Sequence, residues 1–252
     1  MPAPILAGAE PFSRKGGPVG IVVLHGFTGN PNSMRPLAQA LAAAGHSVEL
    51  PLLPGHGTSV EDLMQTRWPD WAATAEEAYG ELTGRCEQVF TAGLSMGGAL
   101  AIWLAERHSD AAGVVAVNPL VDPPAPSFRE MLRGMLGAGA PSLPAIGSDI
   151  AMPGALESAY EAAPIEPLLS LFDGVDDVAA GLGEIACPVL LLSSRNDNVV
   201  PSASGDLLVE RAGAPVERVW LERSFHVATL DYDAAEVESR AVEFVAKHSA
   251  ER

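Results

Sequence analysis

The sequence predicts an α/β fold: a mostly parallel central sheet flanked by helices, with a cap inserted late in the chain. Three observations predict it. Short runs rich in Val, Ile and Leu alternate with stretches of helical length and pattern. Those runs are continuously apolar, as strands covered on both faces are. The alternation stops after Asn118, and resumes only beyond Ile185.

The elements follow in order. Val19–Leu24 reads as the first buried strand. A helical pattern covers residues 33–44, with Leu37 and Leu41 four apart and Gly45 as its stop. Ser47–Leu50 is the next strand, and residues 51–57 form a turn-rich loop. Trp68–Thr83 reads as a long helix with Trp71, Ala75, Ala78 and Leu82 on one face. A strand over 89–92, a helix over 99–106 and a strand at Gly113–Val117 come next. Residues 118–185 are rich in Pro, Gly, Met and Leu, with short helical pieces expected over 128–136 and 155–160. The stretch is too long for a plain loop, so it reads as a cap over the active site. The expected division is therefore 1–118 and 186–252 for the core and 119–185 for the cap. Strands over 189–193 and Val216–Leu221 follow, separated by a helix over 202–212, and a helix over 234–247 ends the pattern.

Composition narrows the function. At 252 residues with 48% apolar content, the chain can bury a full core and is not expected to be disordered. A formal net charge of −17 disfavours nucleic acid and anionic membrane surfaces as partners. Cys86 and Cys187 precede two apolar runs and read as packing residues, not as a disulfide framework. No C-x-x-C or H-E-x-x-H pattern calls for a metal, and no cofactor is expected. Residues 1–17 lack the apolar core of a secretory leader, and no apolar stretch spans a bilayer. The expectation is a cytoplasmic protein without stable membrane insertion.

The chemistry is concentrated in Gly93-Leu94-Ser95-Met96-Gly97, which joins an apolar run to a helical stretch. In that context G-x-S-x-G is a sharp strand-to-helix turn that exposes a serine above a helix N-terminus. Helix-terminal N–H groups there favour developing negative charge. A serine hydroxyl needs a base to take its proton and an acid to orient that base. In this class the chain order is Ser, acid, His. His108, His226 and His248 follow Ser95. His108 leaves no room for an intervening acid and His248 lies in the polar tail, so His226 is the expected base. Asp197 is the only carboxylate in the loop after the 189–193 strand and is the expected orienter. Asp231 and Asp233 lie closer to His226, but follow it in the chain and break the order. The turn His25-Gly26-Phe27-Thr28-Gly29 follows the first strand. There the Phe27 amide, with that of Met96, is expected to form an oxyanion hole. His25 reads as a loop-structuring residue rather than a proton carrier.

On these residues the chain resembles the α/β-hydrolase superfamily, and within it the bacterial monoacylglycerol lipases and related carboxylesterases. Five segments carry the resemblance: His25-Gly26-Phe27-Thr28-Gly29, Pro54-Gly55-His56-Gly57, Gly93-Leu94-Ser95-Met96-Gly97-Gly98, Asp197-Asn198-Val199-Val200-Pro201, and 224–231. The resemblance implies a triad of Ser95, Asp197 and His226, and oxyanion amides at Phe27 and Met96. It also implies that Ile146-Gly147-Ser148-Asp149 and Glu157 shape a leaving-group pocket for glycerol, with Ile146 and Glu157 as substrate-binding residues. The expected substrate is a small lipid ester. The alternatives are a short-chain carboxylesterase, a thioesterase or acyltransferase sharing the triad, and a non-catalytic ligand binder.

Overall fold

In the computed structural model residues 3–249 are described. The chain runs β1 (Phe12–Arg14), β2 (Val19–Leu24), α1 (Arg35–Ala43), β3 (Ser47–Leu50), α2 (Val60–Leu63), α3 (Trp68–Thr83), β4 (Gln88–Leu94), α4 (Met96–Arg107) and β5 (Gly113–Val117). It continues with α5 (Pro126–Gly137), β6 (Ser142–Pro144), β7 (Ala162–Pro164), α6 (Ile165–Gly181), β8 (Val189–Ser194), α7 (Ser202–Arg211), β9 (Val216–Leu221) and α8 (Ala234–Ser249). Seven strands form one sheet in the order β1-β3-β2-β4-β5-β8-β9. All pairings are parallel except that of β1 with β3.

Residues of the central strands alternate between two buried clusters. Val22, Leu24, Val114, Ala116 and Leu191 join α3, α4 and α6 on one side. Ile21, Val23, Val115, Val117, Leu190 and Leu192 join α1 and α8 on the other. Both faces are therefore dry, and each fully buried Leu or Val contributes about 1.5–3 kcal/mol. This explains the uninterrupted apolar runs. Among the described residues no helix is long and apolar enough to cross a membrane.

Two elements in the 118–185 stretch differ from expectation. Residues 155–160 are irregular, not helical. Pro153 and Gly154 precede them, and their backbone groups bond at long range: Glu157 N–H donates to Ser148 Oγ, Tyr160 N–H to the Thr28 carbonyl, and Asn30 Nδ2 to the Ser158 carbonyl. The long helix α6 has no counterpart in the sequence-based expectation. Its sequence contains Pro167 and Gly174 and is preceded by Pro164, residue types that disfavour a helix interior. Pro167 sits in the first turn, where a missing N–H costs nothing. Gly174 is a packing device: a Cβ there would lie 2.1 Å from the Trp68 ring, so α6 can approach α3 closely only through glycine. Through Ile165, Leu171, Phe172, Val175 and Val178, α6 shares the core cluster of α3 and α4. The short strands β1, β6 and β7 are likewise additions to the expected pattern; β6 and β7 pair antiparallel.

Two sets of buried groups set opposite pH sensitivities. His25 and His56 are buried and stand edge to face, with ring centroids 5.1 Å apart. His25 Nδ1 donates to the Gly26 carbonyl and Nε2 accepts from Leu53 N–H, so the neutral ring pins the loop after β2. Desolvation pushes its pKa down to about 4, and that of His56 down to about 3, with His25 adding to the latter. Glu106, on α4, is the converse. Its Oε1 is buried without a hydrogen-bond partner, and burial raises its pKa to about 8. Arg107 opposes that shift, while Asp177 and Glu184 add to it.

Glu106→Gln should raise the unfolding midpoint at pH 8 while changing it little at pH 4.5. A carboxyl whose folded pKa is raised loses stability as pH climbs from its unfolded value through its folded one. Equal midpoints at pH 8 would remove this account. The histidines act in the other direction. Between pH 6.5 and 5 the unfolded chain binds protons that the folded His25 and His56 refuse, and each group contributes a loss of up to about 1.4 kcal/mol per pH unit. His56→Gln should flatten the slope of stability against pH over that window, measured by denaturant titration; an unchanged slope would contradict it.

Candidate active site

The sheet register brings the functional loops to one edge. Leu24 pairs with Gly93, Leu94 with Val117, Val117 with Leu192, and Ser194 with Leu221. The loops after β2, β4, β5, β8 and β9 therefore leave the sheet side by side at the carboxyl ends of its strands, where ligands bind in open α/β sheets.

Ser95 occupies the one-residue turn between β4 and α4, with φ 57° and ψ −117°. A non-glycine residue there is strained, by about 1–3 kcal/mol. The turn is held by bonds of Ser95 N–H to the Val117 carbonyl (3.1 Å) and of Ala99 N–H to the Ser95 carbonyl (3.0 Å). The glycines have a steric cause: a Cβ on Gly93 would sit 2.0 Å from the Gly97 carbonyl oxygen, and one on Gly97 would sit 2.1 Å from that of Leu24. The second contact also presses the turn against the loop carrying Phe27. Met96 is the first residue of α4, so its amide has no acceptor within the helix. Phe27 is half-buried and packs against Trp71 at a centroid distance of 5.7 Å.

Asp197 and His226 meet. Asp197 Oδ2 is 2.8 Å from His226 Nδ1, and the two side chains are only 5% and 8% exposed, so water does not compete for the bond. Asp197 Oδ1 accepts from the Val199 and Val200 amides, each at 2.8 Å, which fixes the carboxylate plane. With the proton on Nδ1, His226 Nε2 is the acceptor. The competing carboxylates are occupied by backbone. Asp231 accepts from the amides of Ala151, Met152, Phe225 and Tyr232, and Asp233 from those of Arg223 and Ser224. Of the other histidines, His25 and His56 are buried, and His108 Nε2 lies 2.7 Å from Glu76 Oε1.

Glu157 and Ile146 differ in their burial. The Glu157 carboxylate lies against the loop after β2: a Cβ on Gly29 would be 2.7 Å from its Oε1. Burial raises the Glu157 pKa, while His226 and Ser33 act in the opposite direction. Ile146 is 65% exposed.

Sequence reasoning missed Asn118, which follows β5 with φ 42°. Its Nδ2 donates to the His226 carbonyl (2.8 Å) and to Ser194 Oγ (2.9 Å), and its Oδ1 accepts from Ser194 N–H. It ties the loop next to Ser95 to the loop of His226. The one signal in the sequence was an Asn at a strand end, the residue type that tolerates positive φ. Asp149 and Tyr160 were also missed as bridging residues. Tyr160 Oη donates to the Gly55 carbonyl and accepts from Thr58 N–H, joining the 146–160 segment to the Pro54-Gly55-His56-Gly57 turn.

Known proteins share this fold along nearly the whole chain. Residues 19–233 match the family described as serine aminopeptidase, S33. The chain is 47% identical to a thermostable monoacylglycerol lipase of Bacillus sp. (strain H-257), over 98% of each chain. It is 28% identical to a carboxylesterase of Bacillus subtilis (strain 168), over 94% of this chain and 96% of that one. Among solved structures, one from a study of LipS and LipT, two metagenome-derived lipolytic enzymes, superposes with a TM-score of 0.93 at 38% identity, covering 97% of this chain and 100% of the other. The Paleococcus ferrophilus monoacylglycerol lipase shares the fold, with a TM-score of 0.76 at 21% identity over 95% and 99% of the two chains. The chain belongs to the serine aminopeptidase S33 family, and is an α/β-hydrolase resembling the monoacylglycerol lipases.

Proposed function

We propose that this protein is a serine hydrolase that cleaves monoacylglycerols to fatty acid and glycerol through an acyl-enzyme. The observation that carries the reading is the dry Asp197–His226 bond, at the same sheet edge as a strained, helix-capping Ser95. In this reading His226 Nε2 takes the proton of Ser95 as its oxygen attacks the ester carbonyl. The Phe27 and Met96 amides hold the oxyanion, and His226 then protonates the departing glycerol. Water repeats the sequence on the acyl-enzyme and releases the fatty acid. Asp197 keeps the proton on Nδ1 and stabilises the imidazolium that forms. The part of the 119–185 stretch preceding α6 acts as the cap, and a cytoplasmic site of action belongs to the same proposal.

The substrate class rests on the 47% identical, full-length relative and on the surroundings of Glu157. A carboxyl shifted by burial toward its neutral form suits a hydroxylated leaving group. Ile146, exposed on the same segment, supplies apolar surface at the mouth. The second reading, a short-chain carboxylesterase, is favoured by the Bacillus subtilis relative.

Hydrolysis of 1-monolauroylglycerol should exceed that of p-nitrophenyl acetate, with di- and triacylglycerols poorer; the reverse order would make the protein a simple carboxylesterase. Ser95→Ala should reduce turnover to background with the fold retained, and residual activity at the native rate would end the scheme. Asp197→Asn should lower kcat by about 10⁴-fold, as tautomer reversal does in other triads. Native kinetics in that variant would move the orienting role elsewhere.

A further inference from the structure

The structure assigns Asp149, on the segment that precedes α6, the role of a positioning residue that sets the acid loop and the base loop relative to each other. This rests on the triad proposed above.

Asp149 touches both loops at once. Its Oδ2 accepts from the His226 amide at 2.9 Å and from the Asn198 amide at 3.2 Å. Its Oδ1 accepts from Asn198 Nδ2 at 2.8 Å. Its own carbonyl accepts from Val227 N–H at 3.1 Å. The residues held are His226 itself and the immediate neighbour of Asp197. The two loops are also joined nearer their strands, by Ser194 Oγ to the Phe225 carbonyl, Arg195 to the Glu222 carboxylate and Asn196 Nδ2 to the Glu222 carbonyl, but none of these reaches the His226 or Asn198 amide. Asp197 spends Oδ1 on its own turn, and Asn118 reaches His226 only through its carbonyl.

Asp149 is itself anchored. Asp231 accepts from the Ala151 and Met152 amides, just beyond it in the chain, and also from Phe225 N–H, just before His226. At the other end of the segment, Tyr160 N–H donates to the Thr28 carbonyl and Tyr160 Oη holds the Gly55–Thr58 turn. Ser148 Oγ accepts from Glu157 N–H at 2.8 Å and closes the segment on itself. Residues 148–160 thus form a strap joining the loop after β2 to the loops after β8 and β9. Asp149 is the point at which this strap holds His226 and the neighbour of Asp197 at once. A displacement of about 1 Å between such groups costs on the order of 10²-fold in rate.

The test compares Asp149→Ala, Asp149→Asn and Asp149→Glu, measured as kcat and KM for 1-monolauroylglycerol and as the rate of Ser95 labelling by a fluorophosphonate. The Asp149→Asn side chain keeps one oxygen for the two amides and turns its NH₂ toward Asn198, whose side-chain amide can rotate to present oxygen. The carboxylate of Asp149→Glu keeps the charge but is displaced by one methylene. The alanine variant should lose about 10²-fold in kcat with KM within about threefold, as expected when positioning rather than binding fails. The asparagine variant should recover most of the rate and the glutamate variant should not. Should the alanine variant fail to fold, the asparagine and glutamate pair decides alone. An alanine or glutamate variant at the wild-type rate overturns the role, and so does an asparagine variant as slow as glutamate, because retained geometry would then fail to restore the rate. If the wild type fails to hydrolyse esters but still labels at Ser95, the substrate reading falls while the labelling rates of the variants still judge Asp149.

Discussion

The turn at Ser95 is the constraint on which the rest of the molecule depends. A residue with a side chain is held at φ 57°, ψ −117°, a conformation with no intrinsic stability. It persists because backbone closes on it from three sides: Gly97 against Leu24, Gly93 against Gly97, and the Ser95 amide on Val117. These contacts need β2, β4 and β5 to lie adjacent and in parallel register. The sheet order thereby becomes a condition of the site. The strain is balanced by the burial of the central strands on both faces.

The site is assembled from loops that share no local sequence. Nearly every tie between them uses a buried polar side chain to satisfy backbone groups of another loop. Asn118 serves Ser194 and His226, Asp231 serves residues 151, 152, 225 and 232, and Asp233 serves residues 223 and 224. Each such carboxylate gathers several N–H donors, a strong and geometrically demanding arrangement. The acidic composition of the chain therefore has a use inside it as well as on its surface. Asp197 differs from its neighbours in reserving one oxygen for a histidine.

Buried titratable groups away from the serine have a different role. His25 and His56 are kept neutral by desolvation; His25 donates to Gly26 in the loop bearing Phe27 and accepts from Leu53 in the loop after β3, so the neutral ring joins the two loops. Their neutrality keeps that loop packed against Trp71 at neutral pH. Glu106 has no comparable partner and sits where α4 meets the end of α6.

The sequence by itself determined the layered architecture and the chain order of the chemistry. Strands such as Val19–Leu24 and Gly113–Val117 are legible because two-sided burial leaves an unbroken apolar run. Ser95 is legible because its turn admits only glycine at 93 and 97, and Asp197 and His226 because each follows a readable strand. What the tertiary structure decided lies between 118 and 185. The helix α6 hides behind prolines and a glycine whose reason is a tryptophan far away in the chain, Trp68. Residues 155–160 have a helical composition, yet their amides are taken by Ser148 and Thr28. Asp149 is one acidic residue among 32 in the sequence, and the resemblance that marks its segment gives it a pocket role, not a bond to the His226 amide. Local pattern records which face a residue buries. It does not record which distant backbone amide a side chain will meet, because that depends on loops brought together only by the finished sheet.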